Sequence, residues 1–153
     1  IRPLMIEVQA LVSSAVYGTP QRSATGFNSK RLNMILAILE KRAGIQIGSK
    51  DVFLNITGGI NIDDPSIDLA VMSSIISSHE NIPIDRNICF SGEIGLSGEL
   101  RGISKPKERL SEAEKLGFNL FVTSNSNIDN LDKSKIVIKK LDQIEDLIEF
   151  LFK

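Results

Sequence analysis

Apolar residues recur with a helical period in four stretches of this chain, and the first is "NSKRLNMILAILEKRAG". Asn28 or Ser29 can cap its start, and Gly44 is a natural end. Its apolar residues fall at three- and four-residue spacing: Leu32, Ile35, Leu36 and Leu39. The stretch therefore predicts an amphipathic helix.

A second helix is predicted after "DDPSID", where Asp64 can act as the N-cap and Pro65 as the first helical residue. Its apolar residues form a broad face: Ile67, Leu69, Val71, Met72, Ile75 and Ile76. Ser66 falls in its first turn. That position suits either a nucleophile at the mouth of a helix or an ordinary polar residue.

Two further helices are predicted in the second half of the chain. "SKPKERLSEAEKLG" has Ser104 as its expected cap, Gly117 as its end, and inward positions at Leu110, Ala113 and Leu116. The last helix is expected to begin at Asp142, with Glu145 three residues later as in a capping box. Its expected buried residues are Ile144, Leu147, Ile148 and Leu151.

Stretches rich in β-branched residues predict the strands between these helices. They are "LMIEVQALVSSAVY", "QRSATGF", "DVFLNITGG", "NLFVTS", "KIVIKK", and a strand, turn and returning strand in "NICFSGEIGLSGELRGI". The predicted order is β-β-α-β-α-β-β-α-β-β-α. This mixture predicts one α/β (α+β) domain over residues 1–153, a sandwich of sheet and helices.

Composition narrows the possible chemistry. The chain has 153 residues, 42% apolar and 24% charged, with a net charge of −1, one cysteine and one histidine. Cys89 and His79 cannot supply a Cys/His zinc site or a disulfide, and a single thiol fits a reducing cytoplasm. No segment predicts a membrane span. The chain opens with Ile1 and not with Met, so we expect it to be a fragment of a longer protein.

Three candidate sites have weak support in the residues alone. The glycine-bearing stretch 92–102 contains no phosphate-binding motif and leads into a strand. His79 lies one helix length from Ser66, roughly 20 Å away, too far for a catalytic pair. Cys89 lies in an apolar strand and is expected to be a buried, inert thiol.

Ser66 keeps one further possibility. A buried, neutral lysine can activate a serine, and Lys107 lies in the first turn of the third predicted helix. Spacing alone does not establish that Ser66 and Lys107 meet.

Long motifs carry a resemblance to a known family. "RPLMIEVQALVSSAVYGTPQRSATGFNSKRLNMILAILEKRAG", "DVFLNITGG", "DPSIDLAV" and "GEIGLSGELRGISKPKERLSEAEKLGF" resemble the C-terminal domain of the RadA (Sms) family of bacterial DNA repair and recombination proteins. The resemblance covers Arg2 to Phe121. Beyond Phe121 only the strand-and-helix pattern matches.

That domain in turn is similar to the proteolytic domain of Lon proteases, which use a Ser-Lys dyad. The resemblance implies a Lon-protease C-terminal-like fold, a β/α sandwich like ribosomal protein domain 2. It places Ser66 at the nucleophile position and Lys107 at the base position.

The flanking residues depart from the Lon pattern. Asp64 and Asp68 replace the glycines beside the serine, while Ser104 and Lys105, followed by Pro106, replace a glycine pair before the lysine. Carboxylates beside a developing oxyanion oppose acyl transfer. Asp68 could also pair with Lys107 and keep it protonated. We therefore expect Ser66 and Lys107 to be a degenerate, inactive dyad.

The resemblance implies a ring-forming scaffold domain of a hexameric, ATP-driven DNA motor. In such proteins a zinc motif and a RecA-like ATPase come before this domain. We accordingly expect no cofactor, no metal and no enzymatic activity in this chain, with ATP, Mg and Zn belonging to the other domains. The expected partners are further copies of the chain and DNA, the latter bound weakly.

Arg22, Lys30 and Arg31 are the candidate DNA-binding residues, with solvated surface charge as the alternative. Phosphate contacts would make binding fall steeply with salt. Two other classes of function stay open: a Ser-Lys peptidase, and an interaction domain that does not touch DNA.

Overall fold

The chain folds into a mixed α/β structure, as the sequence predicts. A computed structural model describes residues 3–126 and 135–153. The elements in that part of the chain are β1 (Val8–Ser14), β2 (Arg22–Thr25), α1 (Ser29–Ala43), β3 (Lys50–Ile56), α2 (Asp68–Glu80), β4 (Ile88–Ser91), β5 (Glu93–Ile94), β6 (Leu100–Arg101), α3 (Pro106–Lys115), β7 (Leu120–Ser124), β8 (Val137–Leu141) and α4 (Ile144–Phe152). A 3₁₀ turn, Pro65–Ile67, comes directly before α2. Ile1 and Arg2 lie outside the described residues.

The first sheet has β3 at its centre. β1 pairs with β3 in antiparallel and β2 pairs with it in parallel. Val52, Leu54 and Ile56 point to one face and are buried in the main core, which α1 and α2 also line. Alternate residues point the other way, and Phe53 on that face is 36% exposed. The first sheet is therefore covered on one side and open on the other.

The second sheet, β4-β7-β8, is parallel throughout. Its two faces belong to different cores. Phe90 and Val122 join the main core, whereas Cys89 and Phe121 pack in a smaller cluster that includes Leu110 of α3. Because successive strand residues point to opposite faces, α3 lies on the side of this sheet away from the main core.

The returning strand predicted after β4 is β6, which pairs with β5 in a separate small hairpin. The sequence pattern merged β4 and β5, which Gly92 separates. A side chain at Gly92 would meet Leu69 of α2 at 3.2 Å. The close approach of α2 thus accounts for the glycine at the break between the two strands.

Helix α1 agrees with the sequence at both ends. The Arg31 N–H donates to the Asn28 side chain at 3.1 Å, which makes Asn28 the N-cap. Gly44 ends the helix with φ 68°, a left-handed conformation that favours glycine. The four apolar positions predicted for this helix are all buried, which confirms its inward face.

The predicted start of α3 was wrong by one residue. Ser104 does not cap the helix: α3 begins at Pro106, and Lys105 before it adopts a left-handed backbone with φ 52°. Proline suits the first helical position because its fixed φ and missing N–H cost nothing there. Leu116, predicted to point inward, is 51% exposed because the helix has already ended.

The predicted start of α4 was wrong by one residue. The capping box is formed by Gln143 and Asp146, each side chain accepting from the other's backbone N–H. Ile144 and Leu147 are buried as predicted. Within the described ranges, none of the helices combines the length and the apolar content that crossing a bilayer requires.

Candidate functional site

Ser66 lies in the 3₁₀ turn before α2 and is 4% exposed. Its backbone N–H donates to the Asp64 carboxylate at 3.0 Å, so Asp64 is a cap as predicted, although of the 3₁₀ turn. The Ser66 carbonyl accepts from the Gly92 N–H at 2.9 Å, and the Leu69 N–H donates to the Gly92 carbonyl at 3.1 Å. These bonds fix the serine at the junction of α2 with β4 and β5.

Arg109 of α3 contacts the Ser66 side chain. One guanidinium N–H donates to the Ser66 Oγ at 2.9 Å, and another donates to Asp64 Oδ2 at 2.9 Å. The Arg109 Nε donates to the Ser104 carbonyl at 2.7 Å. Arg109 therefore joins the start of α3, the 3₁₀ turn and the hydroxyl of Ser66 in one network.

This network determines what Ser66 can do chemically. A nucleophilic serine needs a neighbour that accepts its proton. A guanidinium has only donors and stays protonated in proteins, so Arg109 cannot act as that base. Its hydrogen bond also occupies a lone pair of the Ser66 oxygen. The described contacts of Ser66 are thus those of a structural hydroxyl.

Lys107 takes no part in the Arg109 network. Lys107 lies in the first turn of α3 and is exposed. A catalytic Ser-Lys dyad requires a lysine whose amine is buried. The hypothesis that Asp68 pairs with Lys107 was wrong, because the Asp68 carboxylate is occupied by Arg31 of α1. Whether Ser66 and Lys107 have any catalytic role stays a prediction.

Asp68 is fully buried at the first position of α2. The Arg31 Nε donates to Asp68 Oδ1 at 2.6 Å, and a second Arg31 N–H donates to Oδ2. The backbone N–H of Ile94 donates to Oδ2 at 3.1 Å. The hydrogen bond with Asp68 raises the pKa of Arg31 above its ordinary value, despite the opposing effect of partial burial. Glu93 lies 3.7 Å from the same guanidinium.

Asp64 is half-exposed, and several effects compete in its titration. Partial burial acts to raise the pKa of its carboxyl, but the Ser66 N–H and the Arg109 guanidinium outweigh burial and hold the pKa below its ordinary value. The carboxylate form is therefore favoured beside Ser66. A negative charge at this place disfavours an oxyanion on a substrate.

Two of the three candidate DNA-binding residues have internal partners. The Arg22 guanidinium donates to the carbonyls of Ile47 and Gly48, at 3.0 and 3.3 Å. Arg31 is held by Asp68. A guanidinium committed to internal acceptors has fewer donors for phosphate. Their DNA-binding role stays a prediction, and the geometry does not favour it.

Lys30, the third candidate, is exposed. It lines an open depression of about 400 Å³ together with Phe27, Met34, Asp63 and Asp64. The two carboxylates reduce the attraction of this depression for phosphate. Of the predicted patch, Lys30 is the residue with the most accessible charge.

Cys89 is a buried thiol, as predicted, and His79 lies far from Ser66, as predicted. Cys89 is buried, and burial raises the pKa of its thiol to about 12. A thiol with such a pKa is a poor nucleophile. His79 lies in the last turn of α2, at the opposite end from Ser66. Within the described ranges, no group of three or more His, Cys, Asp or Glu side chains is placed to hold a metal ion.

A groove of about 560 Å³ opens beside Ser66 and Arg109. Residues 3–8, before and at the start of β1, line one part of it, and residues 84–86 and 88–91, leading into and forming β4, line another. Phe118 and Phe121 add aromatic surface. Ser66 therefore faces a cavity, even though its hydroxyl already has a partner.

The fold and the site define an α/β domain in which a serine at a helix start is bound by an arginine. The profile of the family described as "Subunit ChlI of Mg-chelatase" matches residues 7–127, most of the chain, and the chain therefore belongs to that family.

Curated relatives carry a different description. "DNA repair protein RadA" of Bacillus subtilis (strain 168) is 42% identical over 134 residues, 88% of this chain and 29% of the relative. The protein of that name from Streptococcus pneumoniae (strain ATCC BAA-255 / R6) is 44% identical over 126 residues, 82% of this chain and 30% of the relative. That from Rickettsia felis (strain ATCC VR-1525 / URRWXCal2) is 43% identical over 150 residues, 98% of this chain and 33% of the relative.

The chain thus spans about a third of the length of these curated relatives. They confirm the similarity to DNA repair proteins named RadA. The further likeness to Lon proteases stays a prediction.

The sequence analysis missed Arg109, although one signal was available. Arg109 lies four residues before Ala113, which is buried, and residues at that spacing share a helix face. A charged side chain on a partly buried helix face needs a hydrogen-bonding or oppositely charged partner. Asp64, beside the serine, provides it.

Proposed function

We propose that this chain is a non-proteolytic scaffold domain of a RadA-type DNA repair protein. It holds subunits together and contacts DNA, while ATP hydrolysis and zinc binding belong to other domains of the longer protein. The names and the 42–44% identity of relatives from three bacteria support the assignment to DNA repair. A cytoplasmic location follows from that role and from the single buried thiol.

The observation that carries the non-proteolytic part is the hydrogen bond from Arg109 to the Ser66 Oγ. A peptidase would need that oxygen to lose its proton to a base, and an arginine cannot take it. The Asp64 carboxylate in the same network adds negative charge where an acyl-transfer site needs positive charge. We therefore expect a Lon-like fold without peptidase activity.

The scaffold part rests on the resemblance to ring-forming proteins. A domain without its own chemistry contributes to a motor by fixing the arrangement of neighbouring subunits. The expected assembly is a homo-oligomer, a hexamer in the longer protein. Sedimentation of the chain at increasing concentration tests whether this domain associates by itself.

A peptidase assay tests the non-proteolytic part directly. We expect the purified chain to leave casein intact, and the Ser66→Ala and Lys107→Met variants to behave identically to the original chain. Cleavage that both substitutions abolish would support the Ser-Lys peptidase instead.

A DNA-binding assay separates the scaffold from an interaction domain that does not touch DNA. We expect weak retention of the chain on immobilised DNA, reduced by salt as phosphate contacts require. Complete absence of retention would favour the interaction domain.

A further inference from the structure

Helix α2 packs against two outer strands, and the first of these has a protected edge. β1 is the outer strand of the first sheet, and β4 is the outer strand of the second. The Val12 N–H of β1 donates to the Ser78 Oγ at 2.9 Å, and the Ser74 Oγ donates to the Val8 carbonyl at 3.4 Å. Serines of α2 therefore bind the outer backbone groups of β1, which protects this edge from pairing with another strand.

The outer edge of β4 is open instead. The Asn87 carbonyl accepts from the Asn119 N–H at 2.9 Å, so Asn87 faces β7. Backbone groups alternate along a strand, and Ile88 and Phe90 of β4 are the residues that present the opposite edge. In the part of the chain that the structure describes, no strand pairs with this edge. The Ile88 carbonyl and both backbone groups of Phe90 can therefore receive a further strand.

The groove of about 560 Å³ beside Ser66 contains this open edge. Both outward residues of β4 line it, together with Ala70 of α2 and with Phe118, which follows α3. At the Ser66 end, the Gly92 N–H donates to the Ser66 carbonyl at 2.9 Å. Extended backbone can thus pair along this side of the chain, and the open positions of β4 come directly before Gly92.

The two sides of the groove suit the alternation of an extended segment. Ile67 lines the groove and belongs to the main core, on the side of α2. Ala113 and Phe118 line it from the smaller cluster, on the side of α3. Because successive side chains of a strand point in opposite directions, a segment paired with β4 would place alternate residues against α2 and against α3.

The size of the groove fits a short segment and not a folded partner. With strands about 4.8 Å apart, sheets about 10 Å apart and a rise of about 3.3 Å, one extended residue fills about 160 Å³. The groove therefore takes about three or four residues. A stable contact between folded chains buries about 800 Å² on each partner. A groove that is one strand wide cannot supply that area, which argues against a second copy as the occupant.

The distribution of charge also defines the ligand. The α2 and β4 walls are apolar, except for serine hydroxyls. A charged residue in the middle of a bound segment would lose its hydration there without gaining a partner. Charged residues lie at the ends of the groove and on α3, and they include both signs: Glu7, Asp85, Arg86, Arg109 and Glu112. The matching segment therefore has apolar or hydroxyl side chains at its centre.

We infer that β4 binds an extended, centrally uncharged peptide segment of a partner protein as an added strand. Such binding relies on hydrogen bonds between backbone groups, and the side-chain pockets give selectivity. It needs no proton transfer from Ser66, so the hydrogen bond from Arg109 does not oppose it. The inference goes beyond the proposed scaffold role, because it gives this domain a protein ligand.

A peptide library supplies the probe. Its members are capped peptides of about six residues, with Lys at both ends and central residues drawn from Val, Ile, Leu, Phe, Thr and Ser, to match the length of the groove. Binders are selected on the immobilised chain and identified by mass spectrometry. The strongest is labelled, and its affinity is measured by fluorescence anisotropy. A second library with Asp at the central positions is the control, from which we expect no selection.

Methylation of single amides in the selected peptide tests strand pairing on the unaltered chain. An extended segment beside β4 turns every second N–H towards that strand. We expect methylation of those amides to weaken binding by at least about fivefold, because each loses a hydrogen bond. Methylation of the intervening amides should change the affinity by less than about twofold.

A substitution in the groove tests its location. Ala70 is half-buried on α2 and lines the groove. Ala70→Leu keeps a good helix former and fills part of the space, so we expect binding to weaken by at least about tenfold. Ala37→Leu is the matched control, because Ala37 is exposed on α1. Urea unfolding of both variants verifies that they keep the fold.

Several outcomes would overturn the inference. They are no selection from the first library, equal selection from the Asp library, a methylation effect that does not alternate, or unchanged affinity in Ala70→Leu. None of them bears on the proposed function, which DNA retention and sedimentation test. Cleavage of the bound peptide would instead refute the non-proteolytic role and leave the strand pairing standing.

Discussion

Two aspartate–arginine pairs lie on either side of Ser66, and they differ in burial. Asp68 has a side chain with 0% exposure and pairs with Arg31, which uses two N–H groups. Asp64 has a side chain with 46% exposure and pairs with Arg109 through one N–H group. Both pairs connect the start of α2 to another helix, α1 in the first case and α3 in the second.

The difference shows how the same charges serve two purposes. Burying Asp68 carries a large desolvation cost, so its carboxylate needs the full set of donors that Arg31 and Ile94 provide. The Asp64 pair is solvated and contributes little by Coulomb attraction. Its importance lies in geometry, because it orients the guanidinium that contacts Ser66.

Removing the cation of the buried pair should have the largest effect on stability. Arg31→Met leaves the Asp68 charge buried with one backbone donor, which should cost about 3–5 kcal/mol of the free energy of unfolding. Urea denaturation of the variant and the original chain gives this difference. The double variant Arg31→Met with Asp68→Leu should recover much of the loss. A double variant as unstable as Arg31→Met alone would contradict the desolvation argument.

Removing the cation of the solvated pair should have a smaller effect. Arg109→Met loses hydrogen bonds to Ser66, Asp64 and Ser104, and should cost about 1–3 kcal/mol in the same measurement. Arg109→Lys keeps the charge but not the fork of donors, and should recover only part of the loss. A loss equal to that of Arg31→Met would mean that burial does not distinguish the two pairs.

Neutralising the solvated carboxylate should have a modest, pH-dependent effect. Asp64→Asn preserves the cap and removes the charge, so it should cost up to about 1 kcal/mol at neutral pH. Because the pKa of Asp64 is lowered in the folded chain, its contribution is complete above the ordinary aspartate pKa of about 3.9 and is lost as pH falls below it. Unfolding at neutral and acidic pH should therefore show the two proteins converging in acid. A difference in the free energy of unfolding that does not change with pH would mean that Asp64→Asn acts through the cap and not through the charge.

Lys107→Met should have the smallest effect. Lys107 and Arg109 are two residues apart at the start of α3. Unlike Arg109, Lys107 is exposed and lies outside the network. We expect a change within about 0.5 kcal/mol, as for most surface substitutions. This variant is the matched control for Arg109→Met, and a comparable loss of stability in both would remove the special role of Arg109.

Local patterns predicted most of the fold. Asn28 and Gly44 mark the ends of α1 because capping depends on neighbours in sequence. The break at Gly92 and the exact starts of α3 and α4 depend on packing against distant elements, which periodicity does not contain.

The candidate site was predicted only in part, for the same reason. Ser66 and its cap, Asp64, are local to one turn. The partners of Ser66 and Asp68, which are Arg109 and Arg31, come from other helices. The resemblance to Lon proteases made Lys107 a candidate partner of Ser66, but Lys107 is exposed on α3 and takes no part in the network.

Lys105, just before α3, has a backbone conformation that is unusual for a lysine. It adopts φ 52° and ψ 52°, a conformation that costs glycine nothing and other residues about 1 kcal/mol or more. The resemblance to Lon proteases implies glycine at this position. The turn that leads into α3 thus holds a lysine in a conformation that would be relaxed for glycine.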